Sequence, residues 1–388
     1  PKNDYGLPYH YTFDVAGRVQ QLVAGRGLGH VYVDGDMDPS EVMTSVLLRH
    51  GLHAVWFDDY RSPQFAAPPA NDPPALYLTM ADDTDTARFL REQFPAQQQL
   101  AVPLAGEGVT IRGYIVQPAQ VRQELDRLLD EPLRITVENG IQLGNFHGDR
   151  RLTAGQSLQA AVGWTWPGGQ RPPQAHYSLF GHLVDSSGKA VVQGDYPLQT
   201  TSDWLAGQEL VQWLDLPLPK GMPPGRYWLD LGIYGQTGVV RQPLADSAGK
   251  PLGSSIDIGP FVVPPPLSPP SASPPELPLG DGIALQQQRL AAAAGKLTVD
   301  LTWEATARPS KDYTVFIHVL DGSGRIVAQT DSQPRGGDFP TSIWRPGDQF
   351  TDSCSLQVPP GHYAVEVGMY DLASGQRLGA TLTSSVDL

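Results

Sequence analysis

The chain has 388 residues, with 27 Lys and Arg against 41 Asp and Glu, a net charge of −14. That acidity repels phosphate backbones and anionic lipid, which excludes a nucleic-acid binder and a polybasic membrane anchor. The 41 Gly and 37 Pro make up about a fifth of the chain where about 12% is usual, so a mostly helical fold is excluded too. With 40% apolar residues the chain can still build two or three cores. Cys354 is the one cysteine, so no intrachain disulfide forms, and neither a reducing nor an oxidising compartment is excluded. No window approaches the roughly 18–20 apolar residues needed to cross a bilayer, and no signal peptide opens the chain. It begins at Pro1-Lys2-Asn3-Asp4 without Met, which leads us to expect a targeting or membrane portion upstream.

In chain order, the spacing of apolar residues predicts a helix over 13–23, ended by Gly25 and Gly27, then a strand at His30-Val31-Tyr32-Val33. A second helix runs from Pro39 to Arg49, opened by Asp38 and closed by Gly51. Strands follow at 53–57 and 75–79. Asp82 or Asp83 caps a helix through Ala87-Arg88-Phe89-Leu90, and a last helix, Ala119 to Leu129, carries Val121, Leu125, Leu128 and Leu129 on one stripe. Helices interleaved with short apolar strands predict a small α/β domain over 1–130, with a mainly parallel sheet.

After Glu131 the pattern becomes short β-rich runs separated by Gly, Pro, Asp and Ser turns, and it repeats. Phe180-Gly181-His182-Leu183-Val184-Asp185 matches Phe316-Ile317-His318-Val319-Leu320-Asp321, and Thr201-Ser202-Asp203-Trp204 matches Thr341-Ser342-Ile343-Trp344. Pro223-Pro224-Gly225-Arg226-Tyr227 and Gly232-Ile233-Tyr234 match Pro359-Pro360-Gly361-His362-Tyr363 and Gly368-Met369-Tyr370. His318 follows His182, and Tyr370 follows Tyr234, by the same 136 residues. The expected architecture is therefore multidomain α/β plus all-β: the small α/β domain, then two homologous β-sandwich domains, Ig-like or jelly-roll-like, over 131–263 and 280–388. Trp164 should be equivalent to Trp303 and Tyr227 to Tyr363. Between the sandwiches, Pro260 to Pro278 holds nine prolines in nineteen residues. A polyproline II linker over 264–279 is expected, keeping the sandwiches as separate beads.

The set F-x-H-[LV]-[VL]-D-x-S-G-[KR], T-S-x-W followed by Gly-Gln or Pro-Gly-Asp, P-P-G-x-Y and G-[IM]-Y resembles the extracytoplasmic C-terminal region of bacterial polytopic membrane glycosyltransferases. These are similar to the protein O-mannosyltransferase and aminoarabinose transferase group of the GT-C superfamily. Residues 316–318, 339–348 and 367–371 carry the pattern best, whereas Gly235 and Leu205-Ala206-Gly207-Gln208 depart from it in the second domain. The resemblance implies a non-catalytic accessory region, tethered to an upstream membrane-spanning part of the same polypeptide, that engages a glycan or protein acceptor outside the cytoplasm. The family's acidic catalytic residue has no counterpart here, and no cofactor or metal is implied. A free-standing secreted or cell-surface carbohydrate-binding protein is the competing class.

Other motifs reduce to structure. Gly25-Arg26-Gly27-Leu28-Gly29 leaves a helix and enters a strand, the reverse of a dinucleotide fingerprint. Asp34, Asp36 and Asp38 are spaced as in a calcium loop, but Pro39 and Ser45 stand where Gly and Glu are needed. Ser186 and Lys189 sit in a hairpin turn, and Cys354 lies in an alternating stretch as a small apolar residue. Trp204 and Trp344 recur just before a turn. Two roles fit them: a stacking platform for a sugar, or closure of one end of each core. His182 and Asp230 are 48 residues apart, as are His318 and Glu366. If their strands are neighbours, each His lies beside its carboxylate, either as a surface pair or as the polar floor of a ligand groove walled by Tyr234 and Tyr370.

Overall fold

The computed structural model describes residues 17–34, 53–57, 64–79, 85–103, 110–169, 176–198, 204–293 and 295–388. The expected helix over 39–49, the cap at Asp82 or Asp83 and most of the 34–38 carboxylate run lie outside them. The chain forms two compact units, one of Pro1–Asp149, Ser157–Pro217 and Leu229–Ile258, the other of Arg150–Gln156, Leu218–Trp228 and Gly259–Leu388. Among the described residues no helix is long and apolar enough to cross a membrane.

In the first unit, residues 17–23 are helical, and Gly25 and Gly27, with φ of 73° and 59°, turn the chain out of that helix as expected. Strands β1 (His30–Asp34), β2 (His53–Phe57), β4 (Ala75–Thr79), β5 (Gln98–Pro103) and β6 (Thr110–Val116) form a sheet in the order β2-β1-β4-β6-β5. The β1–β2 and β1–β4 pairs are parallel, but β4–β6 and β5–β6 are antiparallel. Half of the expected parallel sheet is thus replaced. The short connection between β5 and β6 permits a hairpin, whereas a parallel return needs a crossover of a dozen residues or more. The helix Asp85–Gln93 lies between β4 and β5 and the helix Pro118–Leu128 follows β6, the second burying Val121 and Leu125.

Strand β3 (Gln64–Ala67) has no alternation and was not legible as a strand. It leaves the α/β sheet and pairs with β12 (Glu209–Pro217) of the first sandwich. Its Phe65 stacks on Tyr77, which stacks on Tyr32, at 5.1 and 4.8 Å between centroids. Arg122 on the helix Pro118–Leu128 pairs with Glu209, whose buried carboxyl is pushed up by burial and pulled back by that guanidinium.

The first sandwich places β7 (Glu131–Val137), β8 (Gln142–Gly148), β9 (Ser157–Thr165) and β12 in one sheet, extended by β3 at one end and by β15 (Leu244–Ala245) and β16 (Pro251–Gly253) at the other. Its second sheet runs β11 (Ala190–Pro197), β10 (Tyr177–Asp185), β13 (Gly225–Gly235) and β14 (Val240–Arg241), with β17 (Ile256–Val263) also on β13. In the second sandwich the sheets are β18 (Leu277–Gly280), β19 (Ile283–Ala293), β20 (Lys296–Ala305) and β23 (Gln349–Gln357), and β22 (Ile326–Ser332), β21 (Tyr313–Leu320), β24 (His362–Asp371) and β25 (Arg377–Asp387). The order β7-β8-β9-β12 corresponds to β18-β19-β20-β23, and β11-β10-β13 to β22-β21-β24. The repeat therefore extends from sequence to topology. Trp164 pairs with Leu143 and Leu210, Trp303 with Leu285 and Phe350, and both indoles are fully buried.

The second unit gathers segments that the sequence assigns to different sandwiches. Leu152 N–H donates to Val262 O, and Val262 N–H to Arg150 O, both at 2.7 Å. The guanidinium of Arg151 grips the Asp348 carboxylate with two bonds. The expected linker is pinned rather than free: Leu277–Gly280, within its C-terminal end, is strand β18 paired with β19, and the serines between the prolines supply the N–H groups that proline lacks. Ser268 N–H donates to Gln349 O at 2.7 Å and Ser271 N–H to Gln349 Oε1 at 2.8 Å.

Candidate functional site

The alternation of β24 sends Tyr363, Val365, Val367 and Met369 into the core, all at most 9% exposed. Glu366, Gly368 and Tyr370 take the outer face. The β21–β24 register sets His318 opposite Glu366 and Phe316 opposite Gly368, so each pair shares that face. On β10, a Cβ at Gly181 would point to Leu229 and Leu231, which leaves Phe180 and His182 outward beside Asp230 and Gly232 of neighbouring β13. Both His–carboxylate pairs thus lie on adjacent strands and on one face.

What assembles around them is larger than the sequence reading foresaw. Phe316 reaches over Gly368, where a Cβ would come within 2.6 Å of the ring, and Phe180 over Gly232 at 2.5 Å. A glycine under an aromatic ring on the next strand lets the ring seal the sheet, and both rings are almost fully buried although they face outward. Arg377 covers Phe316 with its guanidinium 4.7 Å from the centroid, and Arg241 covers Phe180 at 4.2 Å. His318 and His182 flank the rings at 5.0 and 5.1 Å, Tyr370 and Tyr234 at 6.3 and 6.4 Å. Asp331 stands 3.6 Å from His318 Nε2. Its counterpart Asp195 faces the Tyr234 hydroxyl, and burial first, then this carboxylate, raise that phenol against the opposing bond from Ser178. Beside Asp230 lies Asp257, whose carboxyl is raised by burial and then by Asp230 itself. The tyrosines lean against the phenylalanines at 48° and 30° between ring planes, so each Phe, His and Tyr set forms one aromatic raft on the outer face.

Phe180, Asp195, Gly232 and Arg241, with Phe316, Asp331, Gly368 and Arg377, are not singled out as site residues by the motifs in the sequence. The signal was available, since each pair obeys the same spacing of 136. Gly368→Ala and Gly232→Ala are expected to cost about 1–3 kcal/mol each, because the ring must move off its seat. Gly232→Ala should cost more, since Ser254 O also lies 2.6 Å from the added carbon. Urea unfolding of both variants measures this, and an unchanged midpoint would remove the seating argument.

Trp204 and Trp344 are not platforms. They are 2% and 0% exposed, and Trp344 Nε1–H donates to Phe339 O at 3.0 Å within a cluster of Phe339 and Phe350. No ring face is left for a sugar, and both residues belong to the cores. At the hairpin turns, Asp321 Oδ1 accepts from the N–H groups of Ser323 and Arg325 and from Ser323 Oγ, and these bonds pull its carboxyl down to about 2. Asp185 holds Ser187 and Lys189 in the same way, so Ser187 and the Lys189 backbone are turn elements. Burial, then Asp352 and Asp300, push the Cys354 thiol up to about 11, which suits a packed side chain and not a nucleophile. Among the described residues no group of three His, Cys, Asp or Glu side chains is placed to hold a metal ion.

No protein-family model and no curated protein matches the chain. Among solved structures it is similar to a glycosyl hydrolase family 2 member from Bacteroides cellulosilyticus, at 9% identity and a TM-score of 0.21, over 61% of this chain and 27% of that one. It is similar also to a DUF3823 family protein from Bacteroides ovatus, at 12% identity and 0.21, over 55% and 90%, and to a Bacteroides uniformis β-glucuronidase, at 10% identity and 0.22, over 60% and 26%. The chain spans about a quarter of the length of the two enzymes. Scores this low carry no argument about its fold or its activity.

Proposed function

We propose that this chain is a non-catalytic, extracytoplasmic recognition region, the accessory part of a membrane glycosyltransferase, and that it engages a glycan or glycoprotein acceptor through its two outer-face rafts. The observation that carries this reading is the duplication. A Phe ring over Gly, an Arg over that ring, and a His, a carboxylate, a Tyr and an Asp around it recur as a set on the same sheet face of both sandwiches. Sealing the sheet needs only Phe and Gly. The surrounding charged and polar groups give each face donors and acceptors beside an aromatic centre, the mixture that suits hydroxyl-rich chains. Two rafts on one chain also allow bivalent attachment, which raises avidity on a polymer without new contacts. The family resemblance supports the extracytoplasmic placement and the tether to a membrane-spanning part.

The test is a glycan and glycoprotein array read with the purified chain, Arg241→Gln, Arg377→Gln and the double variant. Gln keeps a stem over the ring and removes the charge. Single variants should bind an immobilised acceptor at least tenfold more weakly, and the double variant not at all, with Tm little changed. Incubation with a polyprenyl-phosphate sugar should give no transfer. Binding indifferent to both substitutions, or turnover of the lipid-linked sugar, would defeat the reading.

A further inference from the structure

The second unit contains a cavity of about 260 Å³ that shares no residue with either raft. Pro224, Val263 and Pro265 supply its apolar wall, and Arg335, Asp338 and Asp352 its charged lining. The turn that builds it is unusual. Arg335, Gly336 and Gly337 all have positive φ, at 57°, 67° and 92°, which curls the chain so that Arg335 N–H donates to Asp352 Oδ2 at 2.7 Å. Asp338 Oδ1 accepts from Arg226 Nε at 3.2 Å on the rim. Burial raises the Asp352 carboxyl, against the Arg335 N–H and guanidinium, which lower it.

The lining charges decide what fits. The lining sets one guanidinium, Arg335, against two carboxylates, Asp338 and Asp352, with Arg226 paired to Asp338 beside it, so an ion of either sign meets like charge as well as opposite charge and gains no net counter-charge. A neutral polyol meets no such penalty, because its hydroxyls accept from guanidinium and donate to carboxylate at once. Pro224 and Pro265 offer a C–H face a small apolar contact. At about 260 Å³ the cavity, which opens to solvent, lies below the roughly 300–1,000 Å³ of sites for larger ligands, so its volume matches a single ring. We infer that this cavity is a subsite for a single neutral pyranose, with Arg335, Asp338 and Asp352 on its hydroxyls and Pro224 and Pro265 against its carbon face. The inference takes from the proposed function only that the acceptor is a glycan.

Saturation-transfer difference NMR on the full chain, with methyl α-mannopyranoside, methyl β-galactopyranoside, methyl β-glucuronoside and glucosamine as probes, tests it. Arg335→Gly is the informative variant, since glycine adopts a φ of 57° freely and only the side chain is lost. Asp338→Asn, at a half-exposed carboxylate, is the second. At least one neutral glycoside should bind in the millimolar range, with the two charged sugars at least fivefold weaker. Either variant should lower that affinity at least fivefold at unchanged Tm, while Arg377→Gln leaves it alone. The cavity is overturned if no neutral glycoside binds, if the glucuronoside binds more tightly, or if Arg335→Gly binds as the parent does. Neutral-sugar binding lost with the raft variants and kept in Arg335→Gly overturns the cavity and leaves the proposed function standing. Cavity binding with no response to raft substitution on the array does the reverse.

Discussion

Replacing Arg151 with alanine is expected to destabilise the second unit by about 3–5 kcal/mol, which is the usual loss when one partner of a buried ion pair is removed. The Arg151 and Asp348 side chains are 10% and 8% exposed. Arg151 Nη2 donates to Asp348 Oδ1 at 2.8 Å, Nη1 donates to the other carboxylate oxygen, and Nη1 also reaches Ile343 O at 3.2 Å. The guanidinium lies 5.8 Å from the centroid of Phe339, and Asp348 Oδ2 accepts a further bond from Arg345 N–H at 2.7 Å. Without Arg151, a desolvated carboxylate keeps that one backbone donor but loses its counter-charge. At about 2–4 °C per kcal/mol for a unit of this size, the calorimetric transition of the second unit should fall by roughly 10 °C. The double variant Arg151→Met, Asp348→Leu removes both charges and should recover most of the loss, since a buried pair replaced by apolar groups is often neutral. A fall of under about 1 kcal/mol in the single variant would show that the pair is not what joins residues 150–156 to the rest of the unit.

Trp344→Ala should cost a similar amount, about 3–5 kcal/mol, by opening a cavity between Phe339 and Phe350 and leaving Phe339 O without its indole donor. Trp344→Phe keeps most of the volume and should cost about 1–2 kcal/mol, chiefly for the lost bond. Glycan binding by Trp344→Phe should equal that of the parent chain, because the ring is sealed in the core. Weakened binding with an intact fold would restore the indole as a sugar platform. The effects of Arg151→Ala and Trp344→Ala will not add, because both side chains act on Phe339. Urea unfolding of the two single variants and the double variant measures that coupling.

Local chemistry made much of this protein readable. The stripe of Val121, Leu125 and Leu129 foretold the helix Pro118–Leu128, and Gly25 and Gly27 marked the end of the first helix. Strict alternation along β24 separated the core residues Val365 and Val367 from Glu366 and Tyr370. Strand β3 was not readable, because Gln64-Phe65-Ala66-Ala67 is short, buried at every position and without alternation. The tryptophans misled for a related reason. A ring near a turn has the same spacing whether it faces solvent or closes a core, and only the surrounding Phe339 and Phe350 tell the two apart.

By itself the sequence determined the repeat, the two sandwiches and the constant spacing of each His from its carboxylate, because a period of two residues and a constant offset survive without any knowledge of packing, whereas the pairing of β21 with β24 that sets His318 opposite Glu366 came from the structure. It determined the hairpin turns as well, since Asp185 and Asp321 bond to groups two and four residues away. Tertiary structure decided what lies between distant segments. It set the guanidinium groups of Arg241 and Arg377 over Phe180 and Phe316, and it paired β3 with β12. It also drew Arg151 to Asp348 across 197 residues and curled Arg335 against Asp352. Those contacts depend on which faces meet once the sheets have packed, and no local period encodes that choice.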